Sequence, residues 1–162
     1  MYVTDVIGET YKQWKTGVVL INAGTGTGKT TFVVKELNEW AEITGTKILY
    51  LCNRSALRSQ VVKQAEAEQK AKTLKDDAPD DDIGEEHLDI WTYQALEKMK
   101  LYHPEELDAF LRQYRYIVAD EAHYFMFDAQ FNHDTVVSYD ALKALWDQKI
   151  VIYMSATADY MF

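Results

Sequence analysis

Residues 17–30 read GVVLINAGTGTGKT, an apolar run that ends in a glycine-rich loop. The run at 17–22 has the length and composition of a β-strand. The chain after the loop carries apolar side chains at helical spacing: Phe32, Val33, Leu37 and Trp40. A strand, a glycine-rich loop and a helix in this order form the context in which a loop binds phosphate groups.

The loop itself, AGTGTGKT at 23–30, has the residue types that hold a nucleoside triphosphate. Its three glycines let successive backbone N–H groups face inward, and the following helix adds the positive end of its dipole. We expect Lys29 to reach the β- and γ-phosphates as a cation and the Thr30 hydroxyl to ligate Mg²⁺. The residues predicted to bind the nucleotide are Gly24, Thr25, Gly26, Thr27, Gly28, Lys29, Thr30 and Thr31.

A second motif, DEAH at 120–123, begins where the apolar run 115–119 ends. In a parallel sheet this position is the carboxyl edge, at which the glycine-rich loop also lies. We expect Asp120 to hold the Mg²⁺ shell and Glu121 to orient and deprotonate the attacking water. The predicted catalytic residues are therefore Lys29 and Glu121, and the predicted metal ligands are Thr30 and Asp120.

Four more apolar runs predict strands, and most of the segments between them predict helices. The strands are expected over 47–52, 87–92, 115–120 and 149–154, and the helices over 30–43, 54–72, 93–100, 104–113 and 134–147. An acidic stretch at about 72–87 is expected to form an exposed loop. Five strands separated by helices predict an open, mainly parallel α/β sheet with helices on both faces, in one domain over 1–162.

The composition is that of a globular domain with its own core, since 48% of the 162 residues are hydrophobic. The chain has one cysteine, Cys52, and its apolar runs fall far short of the roughly 20 residues that span a bilayer. The N-terminus carries Asp5 and Glu9 where a signal peptide would be basic. These observations predict a cytoplasmic protein with no membrane partner.

The charge is unevenly distributed along the chain. The net charge is −9, but residues 1–75 hold 11 Lys and Arg against 7 Asp and Glu, a balance of +4, whereas residues 76–162 hold 6 against 19, a balance of −13. Because Lys and Arg drive phosphate binding, any surface for a nucleic acid should lie in the first half. The acidic total predicts weak, salt-sensitive binding by this chain alone.

AGTGTGKT and DEAH, together with SAT at 155–157, resemble motifs I, II and III of superfamily 2 helicases of the DEAH-box type, in the order and spacing of that family. LYLCNRSALRSQ at 49–60 is similar to motif Ia, and WTYQAL at 91–96 is similar to a later segment that contacts nucleic acid. The resemblance covers almost the whole chain. It implies the fold of the first RecA-like domain, a P-loop NTPase domain, with ATP and Mg²⁺ as cofactors.

The resemblance also implies roles for residues outside motif I. Those expected to contact nucleic acid are Asn53, Arg54, Ser55, Gln60, Thr92 and Tyr93. Those expected to couple the nucleotide state to strand binding are His123, Ser155 and Thr157. No adenine-reading motif is recognisable before Gly17, so the resemblance does not carry over base specificity.

Members of this family build the catalytic site between two RecA-like domains, and the second domain donates arginine fingers. The sequence reaches Phe162 shortly after SAT, so we expect these residues to bind ATP but to hydrolyse it roughly 10³- to 10⁵-fold more slowly than a complete site. The predicted function is the ATP-binding motor domain of a DNA or RNA helicase or translocase, which in full-length form is a nucleic-acid-dependent ATPase.

Three alternatives remain open from the sequence. One is the motor of a restriction or remodelling complex, which translocates on duplex without separating the strands. Another is a P-loop kinase for a small molecule, in which DEAH and SAT would have no role. The third is a nucleotide-binding module that does not hydrolyse, although Lys29 and Glu121 are both present.

Overall fold

A five-stranded sheet lies at the centre of the protein. The computed structural model describes residues 2–24, 27–52, 55–76, 87–121 and 142–155, with the side chains of the helix at 55–76 described from 58 to 69. The strands are β1 (Gly17–Asn22), β2 (Ile48–Cys52), β3 (Leu88–Thr92), β4 (Tyr116–Ala119) and β5 (Ile150–Ser155). All four pairings are parallel, in the order β1-β5-β4-β2-β3. The predicted parallel α/β sheet is confirmed.

Helices connect the strands close to the predicted positions. They are α1 (Val3–Ile7), α2 (Lys29–Thr31), a π-helical segment (Phe32–Leu37), α3 (Asn38–Thr44), α4 (Ser55–Asp76), α5 (Tyr93–Tyr102) and α6 (Pro104–Arg112), with a 3₁₀ turn at Thr10–Gln13. From α2 to α3 the chain is helical without interruption, although its middle is wound as π-helix. None of the helices in the described ranges combines the length and the apolar character needed to cross a bilayer.

Two of the sequence predictions need correction at their ends. The acidic loop expected from about 72 does not begin there, because α4 continues to Asp76. Residues 72–76 include no glycine or proline, so nothing in their sequence ends the helix. The remainder of that loop, 77–86, lies outside the described residues.

The helix predicted over 134–147 can be assessed only at its end, since 134–141 lie outside the described residues. Leu142 and Lys143 are helical, as predicted. The chain then passes into turns over 144–148, in which Leu145 N donates to Leu142 O at 3.0 Å and Trp146 N donates to Lys143 O at 3.3 Å. The described helix therefore ends at Lys143 rather than at 147. The turns lead directly into β5, and Leu142 is buried among the residues of one core.

The two faces of the sheet carry separate cores. The residues of β2 alternate between them: Ile48, Tyr50 and Cys52 belong to one core, and Leu49 and Leu51 belong to the other. The first core is covered by the helical run from 29 to 44 and by α4, and the second is covered by α5 and α6. All five side chains of β2 are fully buried, as expected for a strand covered on both faces. The prediction of helices on both faces is confirmed.

The single cysteine provides a probe of this core. Cys52 is fully buried at the carboxyl end of β2, and burial, with a smaller contribution from the negative charge of Asp120, raises the pKa of its thiol to about 11. At neutral pH we expect a disulfide reagent such as DTNB to leave the native protein unlabelled, because the thiolate is the reactive form. In denaturant one thiol should react; stoichiometric labelling of the native protein at the same rate would contradict the burial.

Candidate active site

The candidate site lies at the carboxyl edge of the sheet, where the parallel strands end together. The glycine-rich loop follows β1, Asp120 follows β4, and Ser155 ends β5. Because β5 lies between β1 and β4, the loop and Asp120 are separated by two strand spacings, about 10 Å. This separation leaves room for a phosphate group and a hydrated cation between them.

A hydrogen bond and a left-handed glycine define the described part of the loop. Thr27 Oγ1 donates to Gly24 O at 2.6 Å, and Gly28 N-caps α2 with a left-handed φ of 82°. A Cβ atom at Gly28 would lie 3.3 Å from the Tyr2 ring as well as being strained by that φ. Glycine is therefore required at this position by both the backbone conformation and the close neighbour.

The N-terminal segment packs directly on this loop. Val3 N donates to Thr27 O at 2.8 Å, which ties the start of α1 to the loop. Behind it, the rings of Tyr11 and Trp14 lie edge-on against Phe32, with centroids 5.6 and 6.0 Å away. Residues 2–14, to which the sequence analysis assigned no role, thus support the loop and the helix that follows it.

Lys29 lies over the loop. Its ammonium group donates to the carbonyl of Ala23 and, at 3.2 Å, to that of Gly24. The same positive charge acts on Asp120 and opposes the rise in the pKa of that carboxyl. Lys29 and Asp120 therefore lie at one edge of the sheet, although they are far apart in the sequence.

Asp120 is fixed at both its side chain and its main chain. Its Oδ2 accepts a hydrogen bond from the Tyr50 hydroxyl, and its Oδ1 accepts one from Glu121 N at 2.8 Å. Its backbone N donates to Leu51 O at 2.9 Å, and its carbonyl accepts from the Tyr93 hydroxyl at 2.6 Å. Burial, aided by the nearby Glu121 charge, raises the pKa of Asp120 above the ordinary value. A cation beside this carboxylate would offset that cost.

The hydroxyl of Thr30 approaches the same group. Thr30 Oγ1 lies 3.3 Å from the Tyr50 hydroxyl, which in turn bonds Asp120. A hydroxyl and a carboxylate are hard oxygen donors, the ligands that Mg²⁺ takes from proteins when it also binds substrate phosphates. The donors at this edge therefore fit a magnesium-bound nucleotide.

Other described residues border the loop. Thr31 Oγ1 accepts a hydrogen bond from Gln64 Nε2 at 2.7 Å, which joins α2 to α4. Ser155 is buried, and its carbonyl accepts from Ala23 N at 3.2 Å. Thr31 therefore has a structural partner, and Ser155 lies beside the start of the loop.

The residues expected to contact nucleic acid are only partly brought together. Gln60 is exposed on α4, and Thr92 caps α5 by accepting from Ala95 N at 3.1 Å. Tyr93 is fully buried with its hydroxyl on Asp120, so we remove it from the nucleic-acid surface. Ser55 begins α4, and only its backbone is described. The predicted site residues that lie outside the described ranges are Thr25, Gly26, Asn53, Arg54, His123 and Thr157.

Sequence reasoning missed two contributors to this edge. Tyr50 interrupts the aliphatic run KILYLC, and a buried tyrosine usually needs a partner for its hydroxyl, so this residue could have been recognised. Arg58 lies four positions after Arg54, is exposed, and donates through Nε to Ile90 O at 2.9 Å. Its position depends on the packing of α4 against β3, for which the sequence carried no signal.

Comparison with known proteins identifies a family and a fold. Residues 2–159 match the family described as type III restriction enzyme, res subunit. Among solved structures, the chain is similar to a nuclease-deletion mutant of the Type ISP restriction-modification enzyme LlaGI in complex with a DNA substrate mimic, with a TM-score of 0.52 and 16% sequence identity. That alignment covers 94% of this chain but 16% of the enzyme, and at this identity it shows the fold alone. No match was found among curated protein sequences.

Glu121 has a left-handed backbone conformation, which should lower the stability of the protein. Its φ of 53° is in the left-handed region, which is unfavourable for residues other than glycine and occurs frequently at functional sites. Glu121→Gly and Glu121→Ala both remove the carboxylate and differ only in the Cβ atom, which disfavours a positive φ in alanine. We expect the glycine variant to have the larger free energy of unfolding in urea, by about 1 kcal/mol. The usual order, with alanine the more stable, would show that this position is unstrained.

Proposed function

Because the chain belongs to the family described as type III restriction enzyme, res subunit, we propose that it is the ATP-binding motor domain of a DNA translocase. The observation that carries this proposal is the meeting of Lys29, Thr30 and Asp120 at one edge of the sheet. An ammonium group, a hydroxyl and a carboxylate are what a magnesium-bound triphosphate requires. The helicase-like character of the family and the RecA-like sheet support the same conclusion.

The residues of this edge divide the work of binding and orientation. In the proposed complex the Lys29 ammonium exchanges the loop carbonyls of Ala23 and Gly24 for phosphate oxygens. Thr30 and Asp120 hold Mg²⁺, which when bound neutralises charge that develops on the phosphates. Glu121 follows Asp120 directly and therefore lies at the same edge, where its proposed role is to orient the attacking water and to accept its proton.

The polar surface for DNA is proposed at the same carboxyl edge, between the start of α4 and the end of β3. Gln60 and Thr92 belong to it, as do Asn53, Arg54 and Ser55 by resemblance. Arg58 adds a cation to this surface because its Nε is held by Ile90 O while the side chain is exposed. The DNA substrate mimic bound by LlaGI supports DNA as the partner rather than RNA.

Restriction-type translocation is favoured over strand separation as the activity. Both the matched family and the structural neighbour are named for restriction enzymes. The motor of a restriction complex is one of the alternatives that the sequence left open. The family match also counts against a small-molecule kinase. The coupling of nucleotide state to DNA is assigned to His123, Ser155 and Thr157, of which Ser155 lies next to the loop.

We further propose that a second RecA-like domain, outside these 162 residues, completes the hydrolytic site with arginine side chains. The chain spans about 16% of the length of LlaGI, which leaves ample room for such a domain in a protein of that kind. These residues alone should therefore bind nucleotide but hydrolyse it roughly 10³- to 10⁵-fold more slowly than a complete site, because an arginine finger contributes a factor of that size.

Nucleotide binding can be tested on the chain itself. Lys29→Ala should lower the affinity for ATP about 10- to 100-fold, because charge-assisted hydrogen bonds to the phosphates are lost. The matched control is Lys35→Ala, which removes an exposed lysine from the same helical run. Fluorescence titration with a labelled ATP analogue measures both variants. Equal affinity of the two variants, or no binding by the parent chain, would count against the proposed site.

Translocation can be tested on the full-length protein. We expect duplex DNA to stimulate its ATPase, and we expect it to displace the third strand of a triplex without separating the duplex. Glu121→Gln should retain ATP binding and lose both activities, because the proton acceptor is removed while the side-chain size is kept. An ATPase rate that ignores DNA would contradict the motor function, and separation of the duplex would favour the helicase alternative.

A further inference from the structure

Tyr50 joins the two residues that the proposed function assigns to the metal. It lies in the middle of β2 with its ring fully buried in the core that faces the helical run from 29 to 44. Its hydroxyl contacts Thr30 Oγ1 at 3.3 Å and donates to Asp120 Oδ2. Thr30 and Asp120 come from separate parts of the chain, so Tyr50 is a physical link between the loop and the end of β4.

The proton of Tyr50 has one destination. A phenol has a single O–H to donate, and Asp120 presents a carboxylate, the stronger acceptor of the two neighbours. The Tyr50 hydroxyl lies within hydrogen-bond distance of Asp120 Oδ2 and is the donor of that pair. Because the Tyr50 O–H is donated to Asp120, a hydrogen bond at the 3.3 Å contact requires the Thr30 hydroxyl to donate to the Tyr50 oxygen.

In this order of hydrogen bonds, the bond to Tyr50 uses the proton of the Thr30 hydroxyl and leaves its oxygen lone pairs for another partner. A metal ligand must offer lone pairs, and a hydroxyl that has already donated its proton to a neighbour is oriented to do so. The opposite arrangement, with Thr30 accepting from Tyr50, would use a lone pair of Thr30 and leave the Asp120 oxygen without this donor. The chain Thr30, Tyr50, Asp120 therefore orients both candidate ligands at once.

We propose, on the basis of the nucleotide site described above, that Tyr50 is a positioning residue that holds the Thr30 hydroxyl and the Asp120 carboxylate ready as a pair of Mg²⁺ ligands. Tyr50 acts through these two groups and does not itself bind the nucleotide. The other contacts of Asp120 do not replace it, because Glu121 N bonds the second oxygen and Tyr93 bonds the main chain.

Tyr50→Phe removes only the hydroxyl and tests this role in the 162-residue chain. The measurement is the affinity for a labelled ATP analogue, once with Mg²⁺ and once with EDTA. We expect the affinity in Mg²⁺ to fall roughly 10- to 100-fold, the usual effect of losing a group that orients a metal ligand, and the affinity in EDTA to stay unchanged. A structural defect would lower both.

The matched control is Tyr114→Phe. Tyr114 is also buried and donates through its hydroxyl to a carboxylate, Asp89 Oδ2, at 2.5 Å, but it lies at the opposite edge of the sheet. We expect Mg²⁺ to raise the nucleotide affinity of Tyr114→Phe as much as it raises that of the parent chain. An equal loss in both variants would overturn the proposal, because the effect would then belong to any buried hydroxyl.

The outcomes separate this inference from the proposed function. If the parent chain binds the analogue without any effect of Mg²⁺, the metal site itself is refuted. If the parent shows the Mg²⁺ effect and Tyr50→Phe shows it equally, the site stands and the positioning role is refuted. Should Tyr50→Phe fold poorly, a ring-fluorinated tyrosine placed at position 50 keeps the hydroxyl. Its fluorine NMR signal should shift more with nucleotide and Mg²⁺ than with nucleotide in EDTA, and equal shifts would overturn the proposal.

Discussion

The site depends on how firmly the partly buried carboxylate of Asp120 is held at the end of β4. Four hydrogen bonds fix this residue, two at its carboxylate and two at its main chain, and they come from β2, from the start of α5 and from the next residue. Burial opposes its charge, and the Lys29 ammonium favours it. A negative charge that is costly in isolation and lies beside the proposed phosphate-binding loop is suited to share a cation with a ligand in that loop.

The parallel sheet brings Asp120 and the glycine-rich loop to the same edge. Parallel strands bring to one edge residues that are distant in the sequence, and the insertion of β5 between β1 and β4 sets their separation. The three central strands, β2, β4 and β5, are buried on both faces. The loop after β1 is held by other contacts: the N-terminal segment, the left-handed Gly28 and the hydrogen bond from Gln64 to Thr31. We infer that the carboxylate is fixed by the core and that the loop is fixed by its neighbours.

Much of this arrangement could be predicted from the sequence, because it rests on local patterns. Apolar runs predicted the five strands of the described sheet, and the predicted order of strand, glycine-rich loop and helix is present from β1 to α2. The failures concern side-chain packing and helix ends. Tyr93 was expected at the surface but is buried in the second core, where its hydroxyl bonds the main chain of Asp120. Helix α4 continues through residues whose charge suggested a loop. The link through Tyr50 depends on two strands and a helix meeting, for which periodicity carries no information.

The central claim is that Lys29, Thr30 and Asp120 form one magnesium–nucleotide site. A crystal structure of the chain grown with Mn²⁺ and a non-hydrolysable ATP analogue tests it most directly, because the anomalous signal locates the metal without assumptions. We expect one strong peak between the Thr30 oxygen and the Asp120 carboxylate, directly or through water, with the Lys29 ammonium on the phosphates. A metal peak elsewhere on the protein, or phosphates bound away from the loop, would contradict it.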